Sequence, residues 1–302
     1  MNNFIILILD KNKVRSIEMK YKELRKLITK ISPKMAHVIM FRKTMGKFPN
    51  LSHPKSFNEK ISWIKLYELP KDPFASLVAD KLAVRDYVAD CGYLDILVPL
   101  IGSWKNSSDI NFDTFPERFV LKCNHGCGMN LICTEKAQFD ISLAKKRLDD
   151  WMRTDWALLS AEPHYGKIPR RIICEEYIPG KLVDYKFFCF RGIPRFYYIS
   201  EGLEKGPTNG RISFFNMDGS PASFRRTDHE ELENKSRKKP VYFDSMVKIA
   251  GSLSEHFKFA RIDFLTNENE FFFSEITLTP CAGMMPLSPK EWDYKLGEML
   301  VI

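Results

Sequence analysis

No stretch of this 302-residue chain approaches the ~18 consecutive apolar residues that a membrane span needs. The apolar run Phe4–Leu9 is too short to cross a bilayer and has no small-residue cleavage site behind it. It reads as a first strand or a poorly placed start, and the chain as cytoplasmic. Seven cysteines form no CxxC pair and keep no regular interval, which argues against a disulfide framework. Cys123, His125, Cys127 and Cys133 cluster in sequence, yet their spacing favours buried reduced thiols over zinc. There is no GxxxxGK[ST] loop, no DxD-type sugar-nucleotide motif, and no candidate Ser/His/Asp triad or nucleophilic cysteine. No repeat, low-complexity tract or clean linker appears, so subdomains should be interleaved rather than strung in series.

What is present is an ordinary globular composition, 44% hydrophobic and 28% charged, with a net charge of +8. Much of the basic excess lies early in the chain, from Lys11 to Lys47, with further groups at Arg225-Arg226 and 237–239. Such a balance favours anionic partners. Over residues 17–30 the apolar positions Ile17, Tyr21, Leu24, Ile28 and Ile31 recur at three and four, which predicts an amphipathic helix with a basic back. Docking of its apolar face on the core is expected; rest on a membrane surface is the other reading.

The remaining pattern mixes α and β. Helices are predicted over 57–67, 80–88, 140–156 and 241–257. Strands are predicted over 97–101, 118–123, 131–133, 171–177, 184–190, 194–200 and 211–216, with a charged loop at 225–240. The fold class is α+β.

Four segments carry chemistry. In Phe259–Thr279 two strands flank a polar turn, and period-two spacing puts Arg261 with Asp263 on one face and Glu275 with Thr277 on one face. Pairing them assembles a guanidinium, two carboxylates and a hydroxyl. That set suits a hard cation such as Mg²⁺ with a phosphate, or a hairpin whose arginine neutralises its acids. Lys122 interrupts an apolar strand, where an unpaired ammonium is costly, and the following turn with Gly126 and Gly128 exposes backbone N–H groups. A phosphate cradle and a plain β-hairpin both fit. Glu175, Glu176, Tyr177 and Ile178 form a polar strand end that suits an adenine edge. Asp184 and Lys186 share a face of the next strand, suited to ribose and phosphate; a salt bridge from Lys186 to Glu175 or Glu176 is the plainer alternative.

In chain order these are Asp80-Lys81, Lys122 with its glycine turn, Glu-Glu-Tyr-Ile, Asp-Tyr-Lys, Arg-Ile-Asp and Ser-Glu-Ile-Thr. That order resembles the ATP-grasp superfamily. His53–Tyr67, HPKSFNEKISWIKLY, is similar to the start of its branch named for teichuronopeptide biosynthesis proteins, and the resemblance runs from about residue 40 to 300. It implies two α+β subdomains gripping a nucleotide, with a helical N-terminal region. The corresponding segments are 1–50 (basic helical), 51–115 (substrate side), 116–180 (small subdomain) and 181–302 (large, metal-binding subdomain). By resemblance, Lys122 contacts nucleotide phosphates, His125, Gly126 and Gly128 lie in the covering loop, and Lys81 is a further phosphate contact. Glu175, Glu176, Tyr177 and Ile178 receive adenine, and Asp184 receives ribose. Asp263, Glu275 and Thr277 would hold Mg²⁺, with Arg261 and Lys186 as the catalytic cations. Thr277 stands where many relatives have asparagine.

The implied activity is an ATP- and Mg²⁺-dependent carboxylate–amine ligase working through an acylphosphate. The branch name implies attachment of an amino acid to a uronic-acid-containing surface polysaccharide or its precursor. A nucleotide, an acidic glycan or sugar-nucleotide-linked precursor, and an amino acid are then the partners. Peripheral contact with membrane-bound glycan machinery is included, and nucleic acid is not. Arg191, Arg195, Arg225 and Arg226 are candidate substrate contacts. A glycosyltransferase ranks second, and a non-catalytic basic binding module third, since it explains the charge and not the acidic hairpin.

Overall fold

The computed structural model describes residues 11–202, 210–236, 238–267 and 269–302, with side chains from residue 20 onward. The expected strand Phe4–Leu9, the side chains of Lys11, Lys13, Arg15 and Ile17, and Arg237 lie outside the described residues.

Helix α1 (Lys11–Ile31) is followed by α2 (Pro33–Met45), which starts with Pro33 behind the Ser32 cap and stops at Gly46, in the left-handed region at φ 75°. The expected docking of the apolar face of α1 is not found. Tyr21, Leu24 and Ile31 are exposed, while Thr29 is buried and its hydroxyl donates to the Arg25 carbonyl. Ile28 of the stripe is half-buried, and the helix packs against α2 and the later helix Trp156–Ser160.

Next come α3 (Phe57–Trp63), α4 (Pro73–Ala79) and α5 (Val84–Asp90). A capping box between Ser56 and Glu59 fixes the start of α3. The helix read over 80–88 begins only at Val84, because the Asp80 carboxylate accepts from the Leu82 N–H and holds a turn before it.

The first sheet contains β1 (Leu100–Trp104), β2 (Phe119–Cys123), β3 (Asn130–Cys133) and β4 (Ile172–Glu176), antiparallel in the order β1-β4-β2-β3. Alternation along β2 sends Phe119, Leu121 and Cys123 into a core with Ala144 and Leu148 of α6 (Ile141–Arg153). Ile110, Phe112 and Phe115 join this core, so the small layer draws on residues before 116. Helix α6 and α7 (Trp156–Ser160) replace the single helix read over 140–156, because Asp140 and Asp155 each cap a separate start.

The second sheet contains β5 (Val183–Phe190), β6 (Ile193–Glu201), β7 (Arg211–Asn216), β9 (Ala260–Thr266) and β10 (Phe271–Thr277), antiparallel in the order β10-β9-β5-β6-β7. One face packs on α8 (Phe243–Ser254) through Phe187, Ile262 and Phe264. A short ribbon pairs β8 (Arg225–Arg226), inside the expected charged loop, with β11 (Leu287–Ser288), and α9 (Glu291–Met299) follows.

The segment 53–67 acts as a clamp on the chain beyond β10. Phe57 packs on Phe188, Phe190 and Phe259. Asn58 donates to the Met285 carbonyl and to Asp293, and accepts from the Met285 N–H. Lys60 donates to the carbonyls of Gly297 and Leu300, and Lys65, fully buried, to that of Ala282. The clamped segment includes Cys281 and Ala282, two successive non-glycine residues at φ 52° and 53°.

Candidate active site

The open face of the second sheet carries a band of polar residues across four strands. Cross-strand pairing places Ser200 beside Asp184, Tyr198 beside Lys186, Lys186 beside Asp263, and Asp263 beside Glu275, with Thr277 next to Arg261. A register shift between Phe273 and Glu275 makes this possible. Without it, the pairing of Phe273 with Phe264 would set Glu275 opposite Ile262, on the core side of the sheet.

Asp263 is wholly buried. Its Oδ1 accepts from Arg261 Nε at 2.7 Å, and its Oδ2 from Arg261 Nη2 at 2.6 Å and Lys186 Nζ at 2.7 Å. Arg261 Nη2 also donates to Glu275 Oε1 at 2.9 Å and to Thr277 Oγ1 at 3.0 Å. Lys186 lies 3.5 Å from Asp184, whose other oxygen accepts from Ser200 at 3.1 Å. The alternative partners Glu175 and Glu176 are not the ones Lys186 meets. Both hairpin acids are therefore neutralised by arginine in this state, as the plainer reading of the hairpin foresaw.

The electrostatics follow from burial and crowding. Burial alone would raise the Glu275 carboxyl, but Lys81, Arg261 and Lys186 together hold it well below the usual carboxylate range. Burial would likewise lower the Lys186 ammonium, yet Asp184 and Asp263 outweigh it and push its pKa up. Burial raises the Asp263 carboxyl against the pull of Arg261 and Lys186; with three donors within 2.7 Å it is the ionised partner.

The first sheet faces this band through the loop 124–130. Lys81 Nζ donates to the Gly126 carbonyl at 2.7 Å and lies 3.6 Å from Glu275, so one ammonium joins the glycine turn to the second sheet. Asp80 steadies it by accepting from Asn124 Nδ2 at 2.7 Å. His125 is turned away, its Nε2 3.2 Å from the Trp151 carbonyl oxygen, with burial lowering its pKa. Cys123 and Cys133 are buried in the small core.

Lys122 meets Glu175 at 2.5 Å, and Arg85 meets the other Glu175 oxygen at 2.9 Å. The anion beside Lys122 is thus a side chain of the protein. Glu176 follows Glu175 on β4 and lines a separate cavity of about 340 Å³ with Pro116, Glu117, Arg118 and Tyr177, where Arg118 sits 5.3 Å from the centre of the Tyr177 ring. Ile178 is buried. Of the arginines singled out, Arg226 is buried and paired with Asp228 through two hydrogen bonds of 2.8 and 2.6 Å. Arg191 and Arg195 are exposed around the β5–β6 turn, at the opposite end of β5 from Asp184, and Arg225 is exposed as well.

Arg85, Ser200 and Tyr198 were missed in the sequence. The signal for Arg85 was its place four residues beyond Lys81; Ser200 and Tyr198 sit in an apolar strand, and only pairing puts them beside Asp184 and Lys186.

Three cations (Lys81, Lys186, Arg261) meet three carboxylates (Asp184, Asp263, Glu275) on this face, which leaves no surplus positive charge for a polyphosphate. A divalent cation would supply it, and the donors present, carboxylate and hydroxyl oxygens, are of the hard type such a cation takes. The residues fit Mg²⁺ in chemistry, with Glu275 and Thr277 the more accessible donors and Asp263 spent on Arg261 and Lys186.

None of the curated proteins matches the chain. Among solved structures, D-alanine–D-alanine ligase from Bacillus anthracis, complexed with ATP, is 14% identical with a TM-score of 0.44, over 75% of this chain and 65% of that one. D-alanine–D-alanine ligase from Helicobacter pylori is 17% identical with a TM-score of 0.40, over 82% and 68%. The D-cycloserine synthetase DcsG is 12% identical with a TM-score of 0.42, over 76% and 72%. The chain thus spans just under two thirds of the length of the Bacillus anthracis ligase. The family model described as TupA-like ATPgrasp matches residues 59–301, so the chain belongs to the TupA-like ATP-grasp family.

Proposed function

We propose that the protein is an ATP- and Mg²⁺-dependent carboxylate–amine ligase. The observation that carries this is the polar band on the second sheet, joined through Lys81 to the glycine turn of the first. A nucleotide between the two sheets would meet Lys122 and the 124–130 turn on one side, Asp184 and Lys186 on the other, and Glu175 to Ile178 at the strand end. A carboxylate is a poor electrophile until it carries a good leaving group. Transfer of the terminal phosphoryl group gives an acylphosphate and ADP, and attack by an amine then expels phosphate and leaves an amide. Arg261 and Lys186 hold charge against the transferring group, in a site where most of the catalysis is positioning and electrostatics. Glu275 and Thr277 would hold Mg²⁺, which neutralises phosphate charge when bound, and Asp263 would join them only by giving up Arg261 or Lys186.

For substrates, the reading extends to an amino acid and an acidic glycan or its sugar-nucleotide-linked precursor. Among the described residues no helix is long and apolar enough to cross a membrane. The reading puts the site in the cytoplasm, on soluble or peripheral substrates.

The test is a thermal shift with Mg²⁺-ATP, followed by ADP release across amino acids paired with uronic acids. Mg²⁺-ATP should stabilise the protein, with the shift reduced at least about tenfold in ligand affinity by Glu275→Gln and by Lys122→Met. Stabilisation by a UDP-sugar and not by ATP would replace the ligase with sugar transfer. Silence towards both would leave a binding module.

A further inference from the structure

We propose that the α1–α2 hairpin is a docking surface for an anionic lipid bilayer. Its apolar residues face solvent. Leu24 is 53% exposed, Leu27 57% and Ile31 72%, all within one face of α1. Met35 and Ile39, one turn apart on α2, are 45% and 43% exposed, and Phe48 beyond the helix is 67% exposed. An exposed aliphatic set of this extent needs a partner.

The charge around it identifies the partner. Residues 20–58 hold ten lysines and arginines against the single acid Glu23, whereas residues 59–302 hold 33 basic against 35 acidic residues. The entire net positive charge of the protein thus lies in the segment before the family match, which begins at residue 59. Lys43, 4.4 Å from the centre of the Tyr21 ring, ties the basic end of α2 to α1. A second copy of the hairpin would set these lysines against one another. A surface of anionic headgroups above acyl chains meets both components, aliphatic side chains below and ammonium groups at headgroup level. No helix among the described residues is apolar enough to cross, so the hairpin lies on the surface. This surface is independent of what the site catalyses.

The test is co-sedimentation of the full chain with vesicles of phosphatidylcholine alone or mixed with phosphatidylglycerol. Binding is expected to the mixed vesicles only, weakened about tenfold or more by high salt and by Leu27→Glu or Ile31→Glu. Both positions are exposed, so both variants should keep the wild-type melting temperature and Mg²⁺-ATP shift. No binding, equal binding to neutral vesicles, unchanged binding by both variants, or a homodimer in solution that Leu27→Glu dissociates would each overturn the proposal.

Discussion

Asp263→Asn is the sharpest probe of the charged band. The side chain keeps its shape, but a wholly buried carboxylate that accepts three hydrogen bonds becomes an amide. One amide position must then present N–H groups to the donors of Arg261 or Lys186. Breaking a buried ion pair by changing one partner costs about 3–5 kcal/mol. Here the two cations keep second partners, Arg261 through Glu275 at 2.9 Å and Lys186 with Asp184 at 3.5 Å. That places the expected loss at the lower end, about 3 kcal/mol, or roughly 6–12 °C in melting temperature at 2–4 °C per kcal/mol. Urea denaturation followed by circular dichroism measures the stability, and differential scanning fluorimetry with Mg²⁺-ATP measures binding. The variant should lose both stability and most of the nucleotide-induced shift. A variant within about 1 kcal/mol of wild type that keeps its full Mg²⁺-ATP shift would refute the account of Asp263 as the centre of the band.

Two further outcomes follow from packing and burial. A Cβ on Gly297 would collide with the Lys55 carbonyl and lie 2.9 Å from the Phe57 N, so Gly297→Ala should unseat α9 from the start of α3 and cost about 2–3 kcal/mol; a melting temperature unchanged from wild type would contradict the clamp. Burial, and then the nearby Lys65, hold His37 down to about 2 and His164 to about 3, while in the unfolded chain both titrate near 6.5. The unfolded state therefore binds more protons below pH 6.5, and the stability present above that pH is lost as pH falls towards 3. Each histidine contributes a slope of roughly 1.4 kcal/mol per pH unit, so the urea midpoint should drop steeply from pH 6.5 to 5, and a flat midpoint there would rule the pair out as its cause.

The sequence alone determined a good deal. Alternation placed Arg261 with Asp263 and Glu275 with Thr277, and the order of motifs gave the ATP-grasp resemblance that the family match bears out. Strand existence was legible because period two is a local property; β2, β5, β6 and β7 lie within a residue of their expected ends. Helix ends were harder, since Asp155 and Asp80 redirect the backbone through single side-chain bonds that periodicity does not register. The docked face of α1 was misread for a related reason: a hydrophobic stripe says that a partner exists and not that the partner is the rest of the chain.

Tertiary structure decided how the charges meet. The register shift before Glu275, which turns it from the core to the open face, depends on the pairing of β10 with β9. The contacts of Lys122 and Arg85 with Glu175, and of Lys81 with Gly126 and Glu275, join residues 45 to 194 positions apart. Local sequence fixes which face a side chain takes within its own strand or helix. Which charge lies opposite it is set by pairing and packing between distant segments, and in a low-dielectric interior that choice determines both protonation and function.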